Sequence, residues 1–264
     1  MYKKFRFMSG VPRSGSTVLA TLLSKHPDLS TSATSPMWNL LSYARNYGYN
    51  ETPYFPRNCE RVLNIQRSIM DGFYQHVDEP FILDKERDWA SQCSLLEILL
   101  GEKPKFVATT RRISEIISSF VIIANKSKGK NAIDREVIKA AGTINCWTRP
   151  RVIWQQFICP EWKKFKAGYE SHPECFLLAD YADITDNPKE VVNSIYKHFE
   201  MDTVDKVSMA NLVNPTPEDD AVFGIPGLHD VRPTLKRASP PPEEILGEEV
   251  CAYWDEKKLE FWVK

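Results

Sequence analysis

No apolar run in this chain approaches the roughly 20 residues that a helix needs to cross a bilayer, so no membrane span is expected. The opening "MYKKFRFMSGV" has no apolar core followed by a small-residue cleavage site, so no secretory leader is expected either, and the chain reads as soluble and cytoplasmic. An excess of one charge is missing too. The 34 Lys and Arg side chains stand against 35 Asp and Glu, which leaves no global positive field to hold a nucleic-acid polymer. A small ligand or a partner gripped at one place fits better.

Metal-ligand and disulfide patterns are also lacking. Cys59, Cys93, Cys146, Cys159, Cys175 and Cys251 show neither C-x-x-C nor Cys/His spacing. A chain of 264 residues can bury a sizeable core without staples, so reduced, mostly buried thiols and no bound metal are expected. There is no internal repeat and no low-complexity tail, and a single domain over 1–264 is the simplest organisation.

What is present alternates. "KKFRFMSG" is a β-like apolar stretch closed by Gly10, and Val18, Leu19, Leu22 and Leu23 then follow at helical spacing. "PFILDK" (80–85), "KFVATT" (105–110) and "CFLLADY" (175–181) are further short apolar runs separated by helix-like segments. The alternation predicts an α/β fold with a central parallel sheet flanked by helices. Val62, Ile65, Ile69, Phe73 and Val77 predict an amphipathic helix over 60–77, and Val192, Ile195, Tyr196 and Phe199 predict another after Pro188. Two stretches, 43–60 and 214–244, are rich in proline, glycine and polar residues and predict long loops able to wall or cover a site.

The first loop carries the chemistry. Set against G-x-x-x-x-G-K-[ST], "GVPRSGST" places Gly10, Gly15 and Thr17 correctly but has Ser16 where the lysine belongs. Main-chain N–H groups and the positive end of the next helix still suit a terminal phosphate. The missing lysine normally reaches the β and γ phosphates that ATPases and kinases transfer. The ligand expected here has a phosphate that is not cleaved by that magnesium machinery.

With these residues in place, the chain resembles the sulfotransferase family, which moves a sulfonate from 3′-phosphoadenosine 5′-phosphosulfate (PAPS) to a hydroxyl or amine. The family fold is P-loop-NTPase-like. "PRSGST" resembles its 5′-phosphosulfate loop, implying that Arg13, Ser14, Gly15, Ser16 and Thr17 grip that end of PAPS. The family also pairs a strand-end arginine with a serine eight residues on to hold the 3′-phosphate. "FVATTRRISEIISSF" supplies Arg111 and Ser119, with Arg112 and Ser118 as the register alternative. Two donor types approaching a dianion from two sides make chemical sense. Tyr181, seven residues before Pro188, matches a tyrosine that lines the nucleotide site in the protein-tyrosine branch. Late in the chain, "GLHDVRPTLKRAS" resembles the basic segment that covers the nucleotide, implying that Lys236 or Arg237 closes over PAPS.

For catalysis, the resemblance implies that Lys85 at the end of "PFILDK" neutralises the bridging oxygen, with Arg13 beside it. The general base departs from the family. "DLSTSATSPMW" has no glutamate or histidine where the protein-tyrosine branch carries its base, and no histidine follows "PFILDK". Glu86 is the preferred candidate, with Asp84, His76 and Glu51 as others. A small-molecule, glycan or peptide acceptor is expected, with no nucleic acid or membrane partner. "YARNYGYNETPYF" is a candidate acceptor wall. The competing readings are a P-loop nucleotide or small-molecule kinase, with Asp84 as its metal-binding acid, and a nucleotide-binding protein without turnover.

Overall fold

Five short strands build the sheet: β1 (Lys4–Gly10), β2 (Leu29–Thr31), β3 (Phe81–Lys85), β4 (Phe106–Thr110) and β5 (Phe176–Asp180). All pair in parallel, in the order β2-β3-β1-β4-β5. The computed structural model describes residues 3–48, 59–126, 131–220, 227, 229–237 and 240–256. Twelve α-helices are found among them: α1 (Ser16–Leu23), α2 (Met37–Asn46), α3 (Cys59–Phe73), α4 (Cys93–Leu100), α5 (Ile113–Lys126) and α6 (Ala132–Ala141), then α7 (Thr148–Ile153), α8 (Cys159–Ser171), α9 (Tyr181–Asp186), α10 (Pro188–His198), α11 (Pro242–Leu246) and α12 (Glu248–Asp255). None is long and apolar enough to cross a membrane.

The strands read as continuous apolar runs because helices cover both faces of the sheet. Alternate residues separate cleanly. Phe5, Phe7, Ile82, Phe106 and Phe176 enter a large core with α3, α4, α5 and α8, whereas Met8, Leu83, Val107 and Ala179 pack against α1 and α10. Phe7 sits edge-on to Trp89 with ring centroids 5.2 Å apart, and Phe106 stacks on Phe176 at 4.6 Å.

Strand order reverses at β1: the chain passes from β1 to the edge strand β2 and back inward to β3 on one side, then crosses to β4 and β5 on the other. Open parallel sheets bind ligands outside the carboxyl ends of their strands at such a switch point. The loop of 10–15 leaves β1 at that edge, and Arg111 follows β4.

Several local expectations shift. The apolar spacing of 60–77 continues to Val77, but α3 closes at Phe73, one residue after Gly72, and Tyr74–Val77 forms a turn with Val77 N–H donating to the Tyr74 carbonyl. Residues 43–46, expected to be irregular, belong to α2, which burial of Met37 and Leu41 and a hydrogen bond from Gln66 Nε2 to the Leu41 carbonyl hold in place. Residues 49–58 lie outside the described residues. The cysteines are free, but only Cys93, Cys175 and Cys251 are buried; Cys59 and Cys146 are exposed.

Candidate active site

The loop after β1 is fixed by backbone geometry. Gly10 (φ 135), Arg13 (φ 67) and Gly15 (φ 106) all take positive φ, a conformation that glycine accepts without strain and arginine does not. A Cβ on Gly15 would lie 2.5 Å from Tyr181 Cδ2. Ser14 is buried, with Oγ donating to the Val11 carbonyl (2.7 Å) and lying 2.5 Å from Thr109 Oγ1; its N–H also returns to Val11. Ser14 therefore pins the loop to β4, and its side chain does not line the cleft, which corrects its expected place among the ligand contacts. Gly15, Ser16 and Thr17 do line it. The first turn of α1 leaves N–H groups without intrahelical acceptors there.

Arg111 and Ser119 join this loop directly. Arg13 Nε donates to Ser119 Oγ at 3.1 Å, and Arg111 Nη1 donates to the Arg13 carbonyl at 3.1 Å. Arg111 is also stacked over the Tyr181 ring, 4.0 Å from its centroid. Its register alternative falls away: Arg112 points outward to Glu243 (3.0 Å) and Asp255 (2.6 Å), and Ser118 is buried against the Glu115 carbonyl. Burial, and then repulsion from Arg111, lower the Arg13 guanidinium to about 10. Two neighbouring cations that repel each other, Arg111 buried and Arg13 half-buried, favour an anion between them.

Glu115 partly offsets that charge. It accepts from Arg111 Nε (2.9 Å) and from Arg237 Nη2 (2.8 Å). Burial pushes its carboxyl up, but the hydrogen bonds and charges of the two arginines outweigh this and hold it below the ordinary carboxylate range. Arg237 thus reaches the Arg111 region through Glu115, while Lys236 lines the cleft itself.

Lys85 ends β3 on the α1 side of the sheet, paired in register with Met8. It is buried, and its ammonium meets no hydrogen-bond acceptor among the described residues. Burial, followed by the charge of Arg87, lowers it to about 8. Asp84, one residue earlier, faces the opposite core, where it accepts from Ser35 Oγ (2.6 Å), Trp89 Nε1 (2.7 Å) and Tyr74 Oη. Strand alternation also removes Glu86: its carboxylate caps the short 3₁₀ helix Arg87–Gln92 by accepting from Arg87 N–H at 2.8 Å, and it does not line the cleft. His76 is exposed and away from the cleft, and Glu51 lies outside the described residues.

The late segment folds back over these strand ends. Leu212 N–H donates to the Pro233 carbonyl, Leu235 N–H to Met209, and Ala210 bridges Thr234. Thr216 Oγ1 accepts from Ala33 N–H, which ties the segment to the loop after β2. This brings Glu218 and His229 to the cleft beside Lys85 and Arg87. No local pattern encodes that placement, because Glu218 and His229 lie far from Lys85 and Arg87 in the chain. The cleft has a volume of about 780 Å³ and continues past Ser119 to an apolar wall of Phe120, Ile123, Ile133 and Phe157. From the expected tyrosine wall, Tyr43 on α2 and Tyr47 just after it are exposed instead. Among the described residues no group of three or more His, Cys, Asp or Glu is placed to hold a metal ion.

The model of the "Sulfotransferase family" matches residues 7–205. Among solved structures, the chain is similar to the sulfotransferase domain from the curacin biosynthetic pathway (14% identity, TM-score 0.53, covering 100% of this chain and 94% of that one). It is also similar to the sulfotransferase domain of the Synechococcus PCC 7002 olefin synthase (16%, 0.51, 97% and 94%). A third similar structure is mouse sulfotransferase SULT7A1 complexed with PAP (12%, 0.53, 96% and 82%). At these identities the likeness is one of fold. No curated protein sequence matches the chain significantly.

Proposed function

The chain belongs to the sulfotransferase family, and from that premise we propose that it transfers a sulfonate from PAPS to a hydroxyl or amine acceptor and releases 3′-phosphoadenosine 5′-phosphate (PAP). One observation carries the choice of donor. The two anion-binding groups, the loop of 10–17 and the pair Arg111 and Ser119, share one cleft and are hydrogen-bonded to each other through Arg13. A ligand with phosphates at both ends of one nucleoside suits that arrangement.

PAPS, when bound, supplies an activated sulfonate joined to its 5′-phosphate through a labile sulfur–oxygen bond. The residues present fit it: the start of α1 with Gly15, Ser16 and Thr17 lining the cleft, two mutually repelling guanidiniums and a buried ammonium without a described acceptor. Gly15, Ser16 and Thr17 hold the 5′ end through main-chain N–H groups. Arg111 and Ser119 hold the 3′-phosphate, Tyr181 walls the nucleotide and Lys236 closes over it, with Arg237 acting through Glu115. Lys85, with Arg13, offsets the charge that develops on the leaving oxygen, the kind of preorganised electrostatic work that dominates in-line group transfer.

A kinase reading loses its acidic metal ligand, because Asp84 is held by Ser35, Tyr74 and Trp89 on the far side of the sheet. Calorimetry with PAP, ATP and AMP, with and without magnesium, tests the proposal. PAP should bind tightly without magnesium and ATP much more weakly; tight, magnesium-dependent ATP binding would reverse the assignment. Transfer of radiolabelled sulfonate to phenols, glycans and peptides then separates an enzyme from a binder.

A further inference from the structure

Sulfonate transfer to a hydroxyl needs a group to take the acceptor's proton, and Glu86, Asp84 and His76 are each turned away from the cleft. One titratable assembly is not. His229 lines the cleft with Thr34, Lys85 and Arg87. Its Nδ1 lies 2.6 Å from Asp220 Oδ1, and its main-chain N–H donates to Oδ2 of the same carboxylate at 3.0 Å. Its carbonyl accepts from Asn214 Nδ2 at 3.2 Å, and Asn214 Oδ1 in turn accepts from Thr216 N–H. The ring is therefore fixed from both its backbone and its side chain, although it sits on a loop.

The surrounding charges locate this assembly relative to the chemistry. Glu218, 3.6 Å from His229 Nδ1, is among the charges acting on the Lys85 ammonium, and Asp220 is among those acting on the Arg13 guanidinium. His229 and its carboxylates thus lie with the two cations assigned to the leaving oxygen. A carboxylate on Nδ1 fixes the tautomer, so that Nδ1 carries the proton and the Nε2 lone pair accepts.

We propose that His229 is the general base of this chain, with Asp220 as its positioning residue, an inference that rests on the sulfotransferase reading above. The acceptor oxygen bonds to sulfur as the sulfur–oxygen bond to the nucleotide breaks. The bonding pair stays on the departing phosphate oxygen, and the acceptor's proton passes to His229 Nε2 and then to water.

The test uses the full chain and the variants His229→Gln, His229→Ala and Asp220→Asn, each checked for folding by circular dichroism. Calorimetry with PAP reads the donor site, and all three variants should bind within about threefold of the parent, a difference below 1 kcal/mol. A downfield proton resonance from His229 Nδ1 should be present in the parent and absent from His229→Gln and Asp220→Asn.

Radiolabelled PAPS is then offered with aliphatic alcohols, with phenols including p-nitrophenol, and with water alone. Loss of a general base costs about 10²- to 10⁴-fold in kcat. That loss is expected for alcohols and much less for p-nitrophenol, which is largely ionised in mild alkali without help. Added imidazole should restore part of the turnover of His229→Ala, and Asp220→Asn should lower kcat with KM for PAPS unchanged.

Normal transfer to alcohols by His229→Gln overturns the assignment, as does failure of imidazole rescue, or loss of PAP binding in step with turnover. So does a parent chain that binds PAP yet moves sulfonate neither to these acceptors nor to water. A parent chain that does not bind PAP overturns the sulfotransferase reading itself, which keeps the two failures distinct.

Discussion

The guanidinium of Arg111 lies 4.0 Å from the centroid of the Tyr181 ring. The same ring fills the space beside Gly15, so one aromatic side chain just after β5 contacts both groups proposed to hold the phosphates.

A side chain at position 15 cannot coexist with that ring. In Gly15→Ala the new Cβ would meet Tyr181 Cδ2 at 2.5 Å, and φ of 106° is strained for alanine at any separation. Backbone strain of this kind costs about 1–3 kcal/mol, so PAP affinity should fall by about tenfold or more in calorimetry. Adding Tyr181→Ala makes room for the methyl group but leaves the backbone strain and removes the ring stacked on Arg111, so the double variant should stay well below parent affinity. Wild-type affinity in Gly15→Ala would show that the loop does not hold the ligand.

Arg111 and Arg112 are adjacent and should behave oppositely. Arg111 lines the cleft; Arg112 fastens α11 and α12 to the start of α5 through Glu243 and Asp255. A hydrogen bond to a charged group is worth about 1.5–3 kcal/mol. Arg111→Ala should therefore weaken PAP binding by about 10- to 100-fold. Arg112 is 44% exposed, so its ion pairs contribute little, about 0–1 kcal/mol. Arg112→Ala should bind PAP normally and lose at most a few degrees of Tm. A variant pair with the reverse pattern would move the phosphate site to the register alternative.

The legible parts of this site were the ones made by contiguous sequence. The loop from Gly10 to Thr17 is local, and Arg111 and Ser119 sit on one strand end and the helix after it, a short-range spacing that the family resemblance singled out. Strand alternation was legible in principle but not applied to residues past the strand end: it sends Lys85 to the cleft, while Glu86 turns back as a cap. Ser14 fits the phosphate-loop pattern yet bonds to Thr109, a contact from the loop to β4 that no local motif encodes. His229 stands in the basic segment "GLHDVRPTLKRAS", but its pairing with Asp220 carried no local signal. The two residues are nine apart, and only the tertiary fold places His229 in the cleft that Lys85 also lines. β2 has three residues, too few for a period of two to register.

Gly168 tests the fold apart from the ligand. Helix α8 passes so close to the 3₁₀ helix Arg87–Gln92 that a Cβ on Gly168 would lie 1.8 Å from the Ala90 carbonyl oxygen. Both partners are backbone, so neither can move aside by changing a rotamer. Overpacking costs about 1–3 kcal/mol, and Gly168→Ala should lower the urea midpoint accordingly. Because residues 87–92 follow Lys85 directly, PAP binding at temperatures well below Tm should weaken too. An unchanged midpoint would mean that α8 and the 3₁₀ helix do not meet through Gly168.

Lys85 ties pH to both stability and ligand binding. Burial, and then Arg87, lower its ammonium from the ordinary 10.5 to about 8. Below the folded value both folded and unfolded chains carry the proton, and the folded chain bears the full cost of a buried charge. Between the folded and unfolded values the unfolded chain binds more protons, so this group makes stability rise with pH across that window. Lys85→Met removes the titration, and the difference in stability between parent and variant should shrink as pH rises from 8 to 10. An anion beside Lys85 restores its higher value. PAP binding at pH 9 should therefore draw protons from solution, measured as a dependence of the calorimetric enthalpy on the buffer's ionisation heat, and the uptake should be smaller in Lys85→Met. Turnover should decline as pH rises through about 8 under subsaturating PAPS, and Lys85→Ala should lower kcat by about 10²- to 10³-fold while still binding PAP. Proton uptake equal in parent and variant would mean that the ammonium does not face the bound anion.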